Sequence, residues 1–97
     1  MPLEMKRCTL KGKNLRSLDD VYDALAEQLP LPGHFGRNLD ALWDSLSGDV
    51  EGPFEILWEH AELSKKAMGK DFERLLQLLR ELEEERDDFE LVLAAGD

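Results

Sequence analysis

Apolar side chains along the chain recur in two rhythms, and the switches between them divide it into strands and helices. Lys6-Arg7-Cys8-Thr9-Leu10 alternates in part and runs into the turn Lys11-Gly12-Lys13, so it reads as a first strand. Ser17, with an acid three residues on at Asp20, has the form of a helix N-cap, after which Leu18, Val21, Tyr22, Leu25 and Leu29 fall at helical spacing. Pro30 and Pro32 stop that helix. Gly33-His34-Phe35-Gly36 is a tight loop, and Asn38 caps a second helix that runs from Leu39 to Ser47 and is closed by Gly48. Pro53-Phe54-Glu55-Ile56-Leu57-Trp58 is a second strand, with Pro53 at its start, where a missing amide donor matters least. The pattern then predicts a short helix over Glu59 to Lys66, a break at Gly69, and a long helix from Lys70 to Arg86 with Phe72, Leu75, Leu76, Leu79 and Leu82 on one stripe. Phe89-Glu90-Leu91-Val92-Leu93 is the third strand.

Strands separated by helical stretches require crossover connections. The predicted fold is therefore α/β: a three-stranded parallel sheet with right-handed crossovers and helices packed around it. A chain of 97 residues forms one domain over 1–97, because two halves would each be too small to bury an adequate core. No internal repeat or low-complexity segment is present, and the acidic run Glu83-Glu84-Glu85 lies within a helical pattern.

Charge narrows the partner. The 22 acidic residues against 12 basic ones give a formal charge of -10, which repels nucleic acid phosphates and anionic membranes and favours fast, salt-sensitive association with a basic protein. Cys8 is the only cysteine, so an intramolecular disulfide and a multi-thiolate zinc site are both impossible, and a reducing cytoplasm fits. The N-terminus lacks the apolar stretch of a secretory signal, and no run approaches the roughly 20 apolar residues of a membrane span. His60 with Glu59 and Glu62 lies too close in sequence for all three to converge on one metal ion. No metal and no cofactor are expected. Gly33-His34-Phe35-Gly36 matches the Gly-x-x-Gly clamp of one class of RNA-binding domain, but that clamp needs basic flanks and these are acidic. Trp58 and Cys8 are expected in the core.

The second helix carries the candidate chemistry. With Leu39 at zero and about 100° per residue, Leu42, Trp43 and Leu46 fall within roughly 60° of it and face the core. Asp40 and Asp44 fall at roughly 100° and 140°, one turn apart on a shared flank beside Trp43. The placement opposes local stability: Asp is a poor helix former, like charges at i,i+4 repel, and Asp44 lies toward the negative end of the helix dipole. Spacing alone leaves these as two solvated acids among 22, although residues placed against propensity invite a functional explanation. On the long helix, with Phe72 at zero, Glu81 and Glu85 land at roughly 180° and 220°, opposite the leucine stripe. There too a solvated helix face is the simplest reading.

The string from Leu31 to Gly48, and within it Gly36-Arg37-Asn38-Leu39-Asp40-Ala41-Leu42-Trp43-Asp44, closely resembles the barstar family of intracellular ribonuclease inhibitors. The resemblance runs from the first strand through Leu10, Arg16 and Ser17, through Pro53 and Trp58, to the last strand. It implies a three-stranded parallel sheet with helices around it, and a binding face made by the loop before the second helix, that helix, and one edge of the long helix. It also implies a role for each acid. Asp44 enters the phosphate-binding pocket of the ribonuclease, in place of the scissile phosphate, against arginine, lysine and histidine. Asp40 pairs with an arginine nearby, Glu81 supplies the acid of the long helix with Glu85 a weaker contributor, and Asn38, Gly36 and Trp43 shape or border the patch. The physics agrees, since a carboxylate is a two-oxygen acceptor that engages arginine as phosphate does yet cannot be cleaved.

The chain departs from the family pattern at two positions that often carry large aromatics. His34 stands where a tyrosine packs on the ribonuclease active site, so any stacking there becomes pH-dependent; it can equally be a loop histidine without a role. Asp49 replaces a tryptophan and adds a charge, which points to a partner with a different or more basic rim. The expected partner is a basic, secreted-type, barnase-like ribonuclease, bound in the cytoplasm as a heterodimer by a monomeric inhibitor. The alternative keeps the same face for a different basic toxin or a nucleic-acid-binding protein. Catalysis by paired acids, as in glycoside hydrolysis, fits poorly, because Asp40 and Asp44 project side by side from one convex helix and no nucleophile and base pair is present. No catalytic residue is assigned.

Overall fold

The computed structural model describes residues 5–33 and 35–95, and its elements follow in the order β1 (Lys6–Lys11), α1 (Leu18–Gln28), α2 (Leu39–Asp44), β2 (Phe54–Glu59), α3 (Ala61–Met68), α4 (Lys70–Glu85) and β3 (Phe89–Ala94). The three strands form one parallel sheet in the order β1-β2-β3, with Cys8 opposite Ile56 and Ile56 opposite Leu91. Helices fill both strand-to-strand connections, as parallel neighbours demand, and the α/β architecture expected from the pattern is present.

Alternation along the strands decides where the core lies. Cys8, Leu10, Phe54, Ile56, Trp58, Phe89 and Leu91 are buried in one cluster with Val21, Tyr22 and Leu25 of α1, Leu42 of α2, and Phe72, Leu75, Leu78, Leu79 and Leu82 of α4. On α4 the buried stripe includes Leu78, whereas Leu76, expected on it, is only half-buried. Residues of the opposite parity, among them Arg7, Thr9, Lys11, Glu55, Leu57 and Glu59, belong to the other face of the sheet. Glu55 is buried there, and its carboxylate accepts a hydrogen bond from Nε of Arg7, its register partner on β1. Pairing is what makes that buried charge tolerable.

Two polar devices hold the edge of β1 and the turn that follows it. Its edge is open, and the side-chain amide of Gln28 both accepts from Thr9 N–H and donates to Thr9 C=O, each at 2.8 Å, standing in for a neighbouring strand. Beyond Lys11 the chain enters a 3₁₀ turn at Gly12–Asn14 whose approach to the start of α3 is so close that a Cβ on Gly12 would sit 2.2 Å from the His60 carbonyl oxygen. The Ser64 hydroxyl donates to the Gly12 carbonyl at 3.0 Å and accepts from Trp58 Nε1 at 3.0 Å. The short helix starts at Ala61, two residues later than the pattern predicts, because β2 continues through Glu59 and His60 then turns the chain in the left-handed region at φ 51°. Gly69, at φ 60°, separates α3 from α4 as expected.

Cys8 is fully buried, and burial pushes its thiol pKa up to about 12. An unfolded thiol titrates near about 8.5, so the folded state holds the proton more tightly, and the corresponding stability is complete below that pH and is lost as pH rises toward the folded value. At pH 8 the native chain is expected to resist a chromophoric thiol reagent and to release one equivalent of chromophore only when denatured. Rapid labelling of the native chain would contradict this placement.

Candidate functional site

The short helix α2 is built by its flanks. Asn38 Oδ1 accepts from Ala41 N–H at 2.7 Å, satisfying one of the free amides of the first turn, while its Nδ2 donates to the Gly36 carbonyl at 3.2 Å. The loop before it is tied to α1: the Phe35 ring meets Tyr22 edge-on at 5.5 Å, and Arg37 pairs with Asp23 at 3.0 Å and Asp19 at 3.4 Å. Arg37 stands in the left-handed region, at φ 52°, with its guanidinium 5.7 Å from the Tyr22 ring centre. Its importance was not evident in the sequence, because both acidic partners lie on another element.

Leu42 and Leu46 are fully buried, Leu39 and Trp43 are half-buried, and Asp40 and Asp44 are exposed. The regular helix ends at Asp44, earlier than expected. Residues Ser45–Asp49 form a wider π turn closed by Val50 N–H on the Ser45 carbonyl at 3.1 Å. Gly48 keeps an ordinary φ and does not cap the helix as predicted. The wider turn keeps Ser45 and Leu46 buried and leaves Asp49 exposed at its end.

Across from α2, α4 exposes Glu81 and Glu85 on the side away from its buried stripe. A groove of about 340 Å³ runs between the two helices, lined by Leu39, Asp40, Trp43, Arg74, Gln77, Leu78 and Glu81. The fold thus brings Asp40, Trp43 and Glu81 together from positions far apart in sequence. Asp44, Asp49 and Glu85 belong to the same two segments but do not line this groove, Asn38 is exposed with its side chain engaged in capping α2, and His34 lies outside the described residues. A larger concavity of about 510 Å³, lined by Thr9, Lys11, Asp20, Glu27 and Gln28 among others, shares no residue with it.

Arg74 and Gln77 are additions to the expected set. Gln77 Nε2 donates to Glu81 Oε1 at 3.2 Å, and Arg74 pairs with Asp71 at 3.5 Å. Their spacing with Glu81, at i, i+3 and i+7, places all three on one helix face, a signal that was readable in the sequence. Chemically, carboxylates on two helices beside a half-buried indole suit a guanidinium, which donates its forked N–H groups to the acids and lies on the ring face as a cation–π partner. Among the described residues no group of three or more His, Cys, Asp or Glu side chains is placed to hold a metal ion, and no helix is long and apolar enough to cross a membrane.

This geometry agrees with a comparison against known families, in which the family described as Barstar (barnase inhibitor) matches residues 5–94. The chain belongs to the barstar family. As a barstar-family member it is also similar to a protein of Bacillus subtilis (strain 168) that carries the name "Putative ribonuclease inhibitor YrdF". The two are 31% identical over 90 residues, which is 92% of this chain and 99% of the relative. The barstar match spans every strand and helix described above, α2 and α4 included.

Proposed function

We propose that this chain is a cytoplasmic inhibitor of a small, basic, barnase-like ribonuclease, which it blocks by placing α2 over the active site with Asp44 in the position of a substrate phosphate. The observation that carries this reading is the groove in which Asp40, Trp43 and Glu81 converge on a barstar scaffold, directly beside the exposed Asp44. In this arrangement a target arginine lies over Trp43 between Asp40 and Glu81, and Asp44 reaches the cations that otherwise hold phosphate. The name of the Bacillus subtilis relative supports the same target class. The net charge of -10 draws in a basic enzyme and gives the encounter its salt dependence. One copy of the chain suffices, since every segment of the proposed face belongs to the same chain.

Titrating a small basic microbial ribonuclease with the purified chain is the direct test, with activity expected to fall linearly to an equivalence point at one to one. No inhibition across several such enzymes would turn the reading toward a different basic toxin as the partner of this face. Asp49, exposed at the end of the π turn, is treated as a rim charge. Asp49→Ala is therefore expected to slow association by a few-fold and to reduce its salt dependence, with little change in dissociation. Stopped-flow association at several ionic strengths measures this, and an unchanged salt slope would place Asp49 away from the interface.

A further inference from the structure

Arg86 is the residue that follows α4, and its side chain is only 14% exposed. It is held from several directions. Nη1 donates to the carbonyls of Leu46 and Val50, both at 2.7 Å, while Nε and Nη2 form a fork on the Asp88 carboxylate at 2.8 Å each. The guanidinium carbon lies 4.9 Å from the centre of the Phe54 ring. Asp88 is itself confined, since its Oδ2 occupies the space where a Cβ on Gly52 would sit, and its carbonyl accepts from Phe54 N–H at 2.9 Å. One cation thus joins the end of α4, the starts of β2 and β3, and the π turn that follows α2.

The two carbonyls it binds are the ones that matter for the acidic face. The last carbonyls of a helical segment have no partner within it and carry its negative dipole end. The segment Ser45–Asp49 has no glycine cap in the left-handed region and no basic side chain in its last turn. Arg86 supplies what is missing from another element, as a positive, largely buried donor to two carbonyls at the C-terminal side of that segment. Hydrogen bonds made by an ionised donor in such surroundings are roughly twice as strong as neutral ones.

We infer that Arg86 is a positioning residue for the acidic face: it anchors the C-terminal side of the α2 segment and so sets how Asp44 and Asp49 are presented to a partner. It touches no partner itself, and the consequence for binding rests on the inhibitor reading above.

The test uses Arg86→Gln, which removes the charge and the fork, and Arg86→Lys, which keeps the charge and serves if the glutamine variant does not fold. Amide hydrogen exchange followed by NMR reports the anchor without any partner. Exchange at Val50 and its neighbours in the π turn is expected to accelerate about tenfold or more relative to amides of α4 and β2, with a smaller change in Arg86→Lys. A uniform change over the whole molecule, or none, would overturn the anchor, whatever the chain binds. Against an inhibited ribonuclease, Arg86→Gln is expected to raise the dissociation rate about tenfold in the native background and hardly at all beside Asp44→Ala, because the two losses share one route. Equal fold-changes in both backgrounds would show a role independent of Asp44 and overturn the inference. If no ribonuclease is inhibited, the inhibitor reading fails separately while the exchange result still decides the anchor.

Discussion

Replacing Asp44 by alanine is expected to weaken inhibition of the target ribonuclease by about 2–5 kcal/mol, the usual cost of removing one partner from a buried interfacial charge pair. Measurements on the barnase–barstar complex contribute to that range, so for a barstar-family chain it is an expectation by likeness and no independent derivation. In the proposed arrangement most of the loss belongs to the enzyme, whose cations would be left desolvated and unpaired once the carboxylate is gone. The inhibitor itself should fold as before. Asp44 is exposed and stands at the negative end of its helix, so truncation removes a mildly unfavourable charge from the free protein. Asp44→Asn, which keeps the shape and one acceptor oxygen, is expected to lose nearly as much, because charge is what the site pairs with. Calorimetric titration of both variants checks this. A dissociation constant within a factor of three of the native value would remove Asp44 from the centre of the interface.

The largest expected loss of stability follows Trp58→Ala. The side chain is fully buried at the end of the central strand, meets Phe72 edge-on at 5.1 Å, and donates its indole N–H to Ser64, which in turn holds Gly12. Truncation leaves a large cavity between sheet and α4 and breaks the link to the turn after β1, at a cost of about 3–5 kcal/mol. Against a total of roughly 5–15 kcal/mol for a domain of this kind, that brings the chain near its unfolding threshold. Trp58→Phe is expected to cost less, since most of the volume is kept and the loss is chiefly the hydrogen bond to Ser64. Urea unfolding followed by far-ultraviolet circular dichroism measures both, and a loss below about 1 kcal/mol for the alanine variant would be inconsistent with a filled, closed core at this position.

The elements were legible because each local signal agreed with its neighbours. Ser17 and Asn38 cap as their types suggest, Pro30 and Pro32 follow the end of α1, and the apolar periods switch where strands give way to helices. The exposure of Asp40, Asp44, Glu81 and Glu85 was legible for the same reason, since a helical wheel fixes which residues oppose a buried stripe. What local patterns could not give was anything decided across elements. His60 adopts a left-handed conformation that moves the start of α3, and Gly48 has the right type for a helix cap but not its geometry, because the segment ends instead in a π turn whose Leu46 and Val50 carbonyls are held by Arg86, some forty positions away. The groove is of the same kind: Trp43 read as a core residue, yet it is half-buried because α4 approaches α2 closely enough to share it but not to cover it.

The brevity of α2 has a consequence for what can be recognised. Six residues make less than two turns, and even with the π turn that follows them the segment is shorter than the roughly 12–15 residues at which an isolated helix becomes marginally populated in water. Its acids hold their places only because Leu42 and Leu46 are seated beneath them and both flanks are fastened to other parts of the molecule. The recognition surface is therefore not portable. A peptide copied from this stretch carries the same letters but must assume the ordering entropy that the folded chain has already settled, and the fixed placement of the acids is lost with it.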